Sequence, residues 1–279
     1  MRFLLLALAC LAGYALLVFG VDALADWRLS TIAAGKDPAA AFASAENERL
    51  TSLGRTLFLA NCANCHGPTG LGDGVAGATL NPKPRNYAGA QFRFTSTVSG
   101  LPSDADFARI IRGGLLPAMP GFPTLSDDEV RALTLTIRQL SYQGHIAEQL
   151  QRDPRRPIEV ARERARVATT SGPLVQVPPR PAAVDLAKGK KFYDATCAAC
   201  HDPDGRSILR DDLVDNDDNP IRARDLTTVP YKAGHTEHDI LIRILRGVPG
   251  APMPAFTGTL SPEDLWSTAA YVRSLQKNK

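Results

Sequence analysis

Cysteine is scarce in this chain of 279 residues, and the five cysteines that occur are unevenly placed. Four of them form two C-x-x-C pairs, and the fifth, Cys10, lies in an apolar stretch near the N-terminus. This placement excludes a disulfide framework, which spreads cysteines over many spacings. The formal net charge is only +3, which is too small to predict nucleic acid as a partner. Long runs of alternating apolar and polar residues are also missing, so we expect no large sheet.

The N-terminal segment carries a signal for export. Residues 3–21 contain no charged side chain, and this run is about as long as the ~20 apolar residues that span a bilayer. The favoured interpretation of residues 1–25 is an uncleaved anchor, with the remaining chain on the periplasmic side of the bacterial inner membrane. The alternative is a signal peptide cleaved after Ala23-Leu24-Ala25, which would leave a soluble periplasmic protein. An unmodified Cys10 within an apolar helix is preferred over a lipidated one, because the apolar run continues well past it.

The rest of the chain contains one pattern twice. A glycine precedes each C-x-x-C pair at the same spacing, and an aromatic residue follows each glycine: Gly54 and Phe58 in the first copy, Gly189 and Tyr193 in the second. Downstream positions also correspond when the copies are aligned without a gap, namely Arg109/Arg243, Arg112/Arg246, Gly113/Gly247 and Met119/Met253. So many shared spacings predict an internal duplication.

This duplication sets the predicted domain organisation. A tether at residues 26–46 leads into a first domain at 47–140, and a second domain occupies residues 184–279. Between them, residues 141–183 are rich in proline and arginine and predict a linker, with a short helix near 158–168. The basic character of the linker fits contact with anionic lipid, contact with an acidic partner, or simple solvation.

Both copies have the signature of helices. Residues 50–57 carry leucines at helical spacing, and Ser126 with Glu129 predicts a capping box at the start of another helix. In the second copy, Ser261 followed by Pro262 is typical of a helix start with proline at the first helical position. The predicted fold class is therefore all-α.

The two C-x-x-C pairs are each followed directly by histidine, at residues 62–66 and 197–201. In C-x-x-C-H the cysteines add to the vinyl groups of a haem and the histidine binds its iron. The motif residues are Cys62, Cys65 and His66 in the first copy and Cys197, Cys200 and His201 in the second. A structural zinc site needs four converging ligands, whereas each copy offers only two cysteines and one histidine locally. A redox dithiol or a disulfide leaves both histidines unexplained. The sequence therefore predicts two covalently attached haem c groups.

The methionines supply candidates for the opposite face of each iron. Apart from Met1, the chain contains only Met119 and Met253, each between prolines at matched distances after its histidine. Proline stiffens a loop, which would hold a weak thioether ligand on the metal. His235 and His238 precede Met253 and are competing ligands, but they have no counterpart in the first copy. We therefore expect His66/Met119 and His201/Met253 ligation of the two irons.

Charged residues at repeated positions are candidates for binding the haem propionates. A guanidinium offers two parallel donors to a carboxylate, which favours Arg85 and Arg224, with Arg93 and Lys232 as weaker candidates. A separate acidic loop comprises Asp211, Asp212, Asp215, Asp217 and Asp218. The loop lacks the glycine and closing glutamate of a calcium loop, so a solvated loop or a docking patch for a basic partner is favoured.

Together, these glycine–aromatic helices, C-x-x-C-H motifs, R-G-x5-M-P segments and terminal helices resemble the tandem dihaem class I cytochromes c of bacterial respiratory chains. The resemblance implies that the first and last helices of each domain cross at a glycine near an aromatic residue. Tyr271 fits that role in the second domain, whereas the first has Thr136, so a looser crossing is expected there.

The resemblance implies electron transfer between redox proteins rather than catalysis. A quinol-oxidising complex or a dehydrogenase would be the donor, and a terminal oxidase or reductase the acceptor. The protein would act alone or as a subunit of an oxidoreductase complex, attached to the membrane through residues 3–21. A dihaem peroxidase and a haem-based sensor are the competing hypotheses. The first needs an open iron, and the second needs an output domain.

Overall fold

The computed structural model describes residues 45–89, 91–207, 212–216 and 218–276. The chain divides into two compact units, residues 1–51 and 52–279; of the first unit, only residues 45–51 are described. The predicted anchor at residues 3–21, the cleavage site near Ala25 and nearly all of the tether lie outside the described residues. Among the helices that are described, none combines the length and apolar character needed to cross a bilayer.

The regular secondary structure of the described residues is helical, with extended residues paired only at isolated bridges, which confirms the all-α prediction. The helices of the first half are α1 Ala45–Asn61, α2 Ala63–His66, a 3-10 turn Val75–Thr79, α3 Asp104–Gly113, α4 Asp127–Arg152 and α5 Ile158–Thr169. The helices of the second half are α6 Leu186–Phe192, a π-helical turn Tyr193–Cys197, α7 Ala198–His201, α8 Glu237–Arg246 and α9 Pro262–Ser274.

Local capping explains where these helices begin. The Ser126 hydroxyl accepts a hydrogen bond from the backbone N–H of Glu129, and the Glu129 carboxylate accepts one from the N–H of Ser126, as the predicted capping box requires. Helix α9 begins at Pro262, directly after its cap Ser261, so this start is also confirmed.

The predicted linker is more ordered than the sequence indicates. Helix α4 continues past the predicted domain end at residue 140 to Arg152, and α5 packs against it through the fully buried Ala161 and Ala165. The prediction of a short helix near 158–168 is confirmed. Four of the arginines in this region form ion pairs, namely Arg152–Glu148, Arg156–Asp153, Arg162–Glu159 and Arg166–Glu163. These carboxylates offset much of the basic charge that the linker was expected to present.

Each domain crosses its helices at the predicted glycine. A Cβ on Gly54 would overlap the carbonyl oxygen of Ala132 in α4, and a Cβ on Gly189 would overlap that of Ser267 in α9. The expectation of a looser crossing in the first domain is therefore wrong. Thr136 permits close approach because it is small and its hydroxyl donates to the Ala132 carbonyl at 3.1 Å.

The domains have separate apolar cores. The buried core of the first comprises Phe58, Tyr87, Phe107, Ile111, Val130, Leu133 and Ile137. The buried core of the second comprises Tyr193, Leu226, Ile240, Leu241, Ile244, Leu245, Leu265, Trp266, Ala269 and Val272. Two independent cores are what a tandem duplication predicts.

Four arginines connect the two domains along a contact that we call the inter-domain seam. Arg109 donates to the Asp239 carboxylate at 3.0 Å and to the Ala233 carbonyl at 3.2 Å. In the other direction, second-domain arginines donate to first-domain carbonyls, Arg243 to Thr95 at 3.0 Å and Arg246 to Thr97 at 3.1 Å. The fourth connection is an ion pair between Arg93 and Asp215.

The structure corrects the ungapped alignment of the two copies. Helix α3 is capped at its C-terminus by Gly114, with φ +69°, and α8 is capped by Gly247, with φ +67°. In this left-handed region glycine has no steric penalty. Gly114, rather than Gly113, is therefore the counterpart of Gly247, and the loop to Met253 is longer by one residue than the loop to Met119. As a consequence, Arg109 and Arg243 occupy different positions on their helices.

Candidate haem sites

Each C-x-x-C-H motif lies on a single helical turn. In the first motif the N–H of His66 donates to the Cys62 carbonyl at 2.9 Å, and in the second, α7 directly follows the π-helical turn that ends at Cys197. All four cysteines are free thiols. Burial, reinforced by the neighbouring cysteine, raises the pKa of Cys62 and of Cys197 to about 11. At neutral pH these two side chains are therefore protonated thiols.

Both motif histidines are oriented by a backbone carbonyl. The Nδ1 of His66 lies 3.1 Å from the Arg85 carbonyl oxygen, and the Nδ1 of His201 lies 2.9 Å from that of Arg224. Because a carbonyl only accepts, Nδ1 carries the proton and Nε2 keeps its lone pair. Burial lowers the pKa of both histidines more than these hydrogen bonds raise it. The resulting neutral imidazole is the form that binds iron.

The second domain contains a cavity that brings together its predicted haem residues. It measures about 850 Å³ and is lined by Cys197, Cys200, His201 and Met253, among other residues. Its walls are mainly apolar, and its size lies within the range of ~300–1,000 Å³ that is typical of ligand and cofactor pockets. Two thiols, a histidine and a methionine that line one cavity fit a covalently attached haem.

Basic side chains also line this cavity, and one of them is the predicted Arg224. Its guanidinium donates to the Thr228 carbonyl at 2.9 Å and the Pro230 carbonyl at 3.1 Å, while its buried Nε has no hydrogen-bond partner. Lys232 also faces the cavity, and burial, together with the charges of Arg224 and Arg93, lowers its pKa. This cationic rim is suited to a carboxylate-bearing ligand.

The first site has the same donors but a different neighbour at the histidine. The Tyr87 hydroxyl lies 3.3 Å from the Nε2 of His66, and the two rings stack with centroids 4.8 Å apart. A haem iron on His66 therefore requires the Tyr87 side chain to turn away. The corresponding residue of the second domain is Leu226, because the N–H of Tyr87 and that of Leu226 each donate at 2.7 Å to an equivalent glycine carbonyl.

The importance of Tyr87 was not recognised from the sequence. The only signal was the difference between Arg85-Asn86-Tyr87 and Arg224-Asp225-Leu226 after the shared arginine. Arg85 was expected to act through its side chain, yet the contact that joins it to His66 is made by its backbone carbonyl.

The two methionines lie on loops of similar construction. The N–H of Leu115 donates to the Met119 carbonyl at 2.9 Å, and the N–H of Val248 donates to the Met253 carbonyl at 3.1 Å. Met119 is half-buried on its loop, and Met253 lines the second cavity. The competing candidate His238 is exposed on α8, and His235 lies in the loop before that helix.

The acidic loop is described only in part, since Asp211 and Asp217 lie outside the described residues. Within the described part, Asp215 is buried and paired with Arg93, and its carboxylate accepts the backbone N–H of Asn219 at 2.9 Å. Asp215 is therefore an inter-domain residue rather than part of a solvated patch.

Comparison with known proteins identifies the class of protein first. Both helical repeats match a model of cytochrome c domains, over residues 50–135 and 184–272. The chain belongs to the family described as cytochrome c oxidase, cbb3-type, subunit III. The resemblance to tandem cytochromes c and the fold class inferred from the sequence are thus confirmed. Cytochrome c domains of this kind imply covalently bound haem c.

Individual relatives support this assignment. The chain is 26% identical over 226 residues to FixP, the cbb3-type cytochrome c oxidase subunit of Bradyrhizobium diazoefficiens, which covers 81% of this chain but 61% of FixP. Cytochrome c6 of Tetradesmus obliquus is 31% identical over 88 residues, which is 32% of this chain and 88% of that protein. Among solved structures, a chain of the reducing HAO-like protein complex of Kuenenia stuttgartiensis matches with a TM-score of 0.66 and 28% identity, covering 81% of this chain and 97% of that chain.

Proposed function

We propose that this protein is a dihaem cytochrome c that carries electrons between redox partner proteins. The observation that carries the proposal is the cavity of about 850 Å³ in which Cys197, Cys200, His201 and Met253 meet. The first haem site would be formed by the corresponding residues of the first copy, namely Cys62, Cys65, His66 and Met119. A haem held by these residues would supply one-electron redox chemistry, and methionine as a ligand would raise its reduction potential.

The residues of the chain provide for this role in three ways. The neutral histidines supply a lone pair at Nε2, the loops that begin at Leu115 and Val248 hold the methionines, and the apolar walls exclude water. Ligation by both histidine and methionine would leave no open position for a substrate, which favours a carrier over an enzyme. The names of the relatives, an oxidase subunit and a chain of a larger complex, support a role as a subunit or partner of an oxidoreductase complex.

The proposed partners follow from this role. The donor is a quinol-oxidising complex or a dehydrogenase, and the acceptor is a terminal oxidase or reductase. The protein acts on the periplasmic side of the bacterial inner membrane, anchored through residues 3–21, or free in the periplasm after cleavage near Ala25. N-terminal sequencing of protein from the membrane and soluble fractions distinguishes these two states.

The number of haems is tested by intact-protein mass after extraction with acid and organic solvent. We expect the mass of the polypeptide plus two haems. The double variant Cys62→Ser/Cys65→Ser should lose one haem, and Cys197→Ser/Cys200→Ser should lose the other. Cys10→Ser is the matched control and should keep both. Retention of two haems in either double variant would contradict the proposed attachment sites.

The axial ligands are tested by the weak absorption band near the red edge that ferric haem shows with sulfur ligation. Met119→Ala and Met253→Ala should each weaken the band, while His238→Ala should leave it unchanged. A spectrum that Met253→Ala leaves unchanged would contradict the assignment and point to His235 or His238 as the ligand. Rapid peroxide turnover by the unaltered protein, with a five-coordinate iron in its spectrum, would favour the peroxidase hypothesis over the carrier.

A further inference from the structure

We propose that Arg93 of the first domain is a positioning residue of the second haem site, where it binds a haem propionate together with Lys232. This inference rests on the proposed function and adds that the second site is completed by the first domain. The sequence associated Arg93 with its own domain, by its correspondence to Lys232.

The location of Arg93 is the first step. Its neighbour Phe92 belongs to the first core, with its ring centroid 5.5 Å from that of Phe107. Arg93 and Phe94, in contrast, line the cavity of the second domain. The chain therefore leaves the first core between Phe92 and Arg93 and presents the next side chains to the other domain. The first-domain residues Asn81, Pro82, Leu116 and Pro117 line the same cavity.

The second step is how Arg93 is held. Its side chain is 13% exposed and forms an ion pair with the Asp215 side chain, which is 3% exposed. Asp215 is itself fixed, because its other carboxylate oxygen accepts from the backbone and side-chain nitrogens of Asn219 at 2.9 and 3.1 Å. The guanidinium thus has one anchored edge, while its buried Nε has no hydrogen-bond partner.

The third step is the charge of the surroundings. Arg93, Arg224 and Lys232 line one cavity and are close enough for the two arginines to act electrostatically on the lysine. The wall also carries Asp225, but the N–H and hydroxyl of Thr227 donate to its carboxylate at 2.8 and 2.7 Å. Positive charges enclosed by apolar walls are unfavourable unless an anion joins them. The propionates of a haem on Cys197 and Cys200 are anions of the required kind, and a guanidinium binds a carboxylate strongly.

The test is a redox titration of the holoprotein, in which the step that Met253→Ala changes is first assigned to the second haem. Arg93→Gln removes a positive charge beside that haem and should disfavour its reduction about tenfold, a shift of ~59 mV to lower potential. The first step should stay in place. Arg93→Lys keeps the charge and should restore most of the potential, and the propionate-bending bands in the resonance Raman spectrum should shift only in Arg93→Gln.

Asp215→Asn provides an independent arm if Arg93→Gln does not fold. It removes the negative partner and should shift the second step alone to higher potential. The matched control is Arg112→Gln, which breaks an ion pair with Asp127 within the first domain and should move neither step. An unchanged second step in Arg93→Gln or Asp215→Asn, or an equal shift of both steps, overturns the inference. A protein without two one-electron steps would instead overturn the proposed function.

Discussion

The two domains share a backbone framework but differ in the side chains around the proposed iron positions. In both, the Nδ1 of the motif histidine faces the backbone carbonyl of an arginine, and a glycine of positive φ ends the helix before the methionine loop. The side chain next to the histidine, however, is Tyr87 in one domain and Leu226 in the other. The two copies therefore share the hydrogen bonds that position the proposed iron ligands, but they differ in the side chains next to those ligands.

Side chains further from the proposed iron positions differ between the domains as well. Trp266 of the second domain is buried and donates through its indole N–H to the Pro178 carbonyl at 2.9 Å, whereas its counterpart Arg131 is exposed. The polarity around a haem and the charges near it influence its potential. We therefore expect two distinguishable one-electron steps, and the following predictions test how far the domains are alike.

The largest expected effect concerns the feature that the domains share most closely. Gly54→Ala and Gly189→Ala should each destabilise their domain by about 3 kcal/mol, because the new Cβ overlaps a backbone carbonyl that cannot move alone. Denaturant unfolding of the purified variants measures this change. Gly113→Ala is the control, since nothing lies within 4 Å of a Cβ there. A much smaller loss of stability in Gly54→Ala than in Gly189→Ala would instead support the looser helix crossing that the sequence predicts for the first domain.

A smaller difference is expected between the capping boxes that begin α3 and α8. In these boxes the Asp106 carboxylate accepts from the N–H of Ser103, and the Asp239 carboxylate accepts from the N–H of Thr236. Asp106 is 1% exposed and accepts hydrogen bonds from Ser96 and Ser103, whereas Asp239 is 17% exposed. Asp106→Asn should cost about 2 kcal/mol, since several donors lose a charged acceptor in a buried position. Asp239→Asn should cost less, because solvent screens it. Unfolding curves measured under the same conditions provide the comparison, and equal costs would contradict the difference in burial.

The same carboxylate predicts a pH dependence. Burial raises the pKa of Asp106, but the hydrogen bonds from Ser96 and Ser103 outweigh burial and hold it below the usual range. A depressed folded-state pKa contributes stability that is present above the unfolded pKa of about 3.9 and is lost as the pH falls through the folded value. Acid titration of the unaltered protein should therefore show a loss of stability that Asp106→Asn lacks. Parallel acid profiles for the two proteins would argue against this role.

The smallest predicted effect concerns Tyr87, the residue in which the two sites differ next to the motif histidine. Tyr87→Leu gives the first site the side chain of the second and should narrow the gap between the two potentials by about 60 mV, a tenfold change in one equilibrium. Tyr87→Phe isolates the contribution of the Tyr87 hydroxyl, which must leave its position 3.3 Å from the Nε2 of His66 when iron binds there. Redox titration is the measurement. An unchanged gap between the two potentials in Tyr87→Leu would indicate that side chains further from the iron positions, such as Trp266 and Arg131, cause the difference in potential.

Much of this protein could be predicted without coordinates, because the relevant signals are local. The spacing within C-x-x-C-H places thiols and imidazole on one helical turn, and the cap residues Ser126 and Ser261 define the helices that they begin. Each of these inferences depends on residues a few positions apart, whose geometry follows from backbone hydrogen bonding. The helix crossings at glycines 54 and 189 were instead implied by the resemblance to class I cytochromes c.

The features that were missed or mistaken depend on contacts between distant parts of the chain. The continuation of α4 to Arg152 depends on its packing against α5, and the position of Gly114 as the partner of Gly247 depends on where two helices end. Arg93 reaches the cavity of the second domain because the two domains meet along the inter-domain seam. Tyr87 lies against His66 because its ring is packed into the core of the first domain. Side-chain packing and charge pairing of this kind are set by the three-dimensional arrangement. They therefore cannot be predicted from the spacing of residues in the sequence.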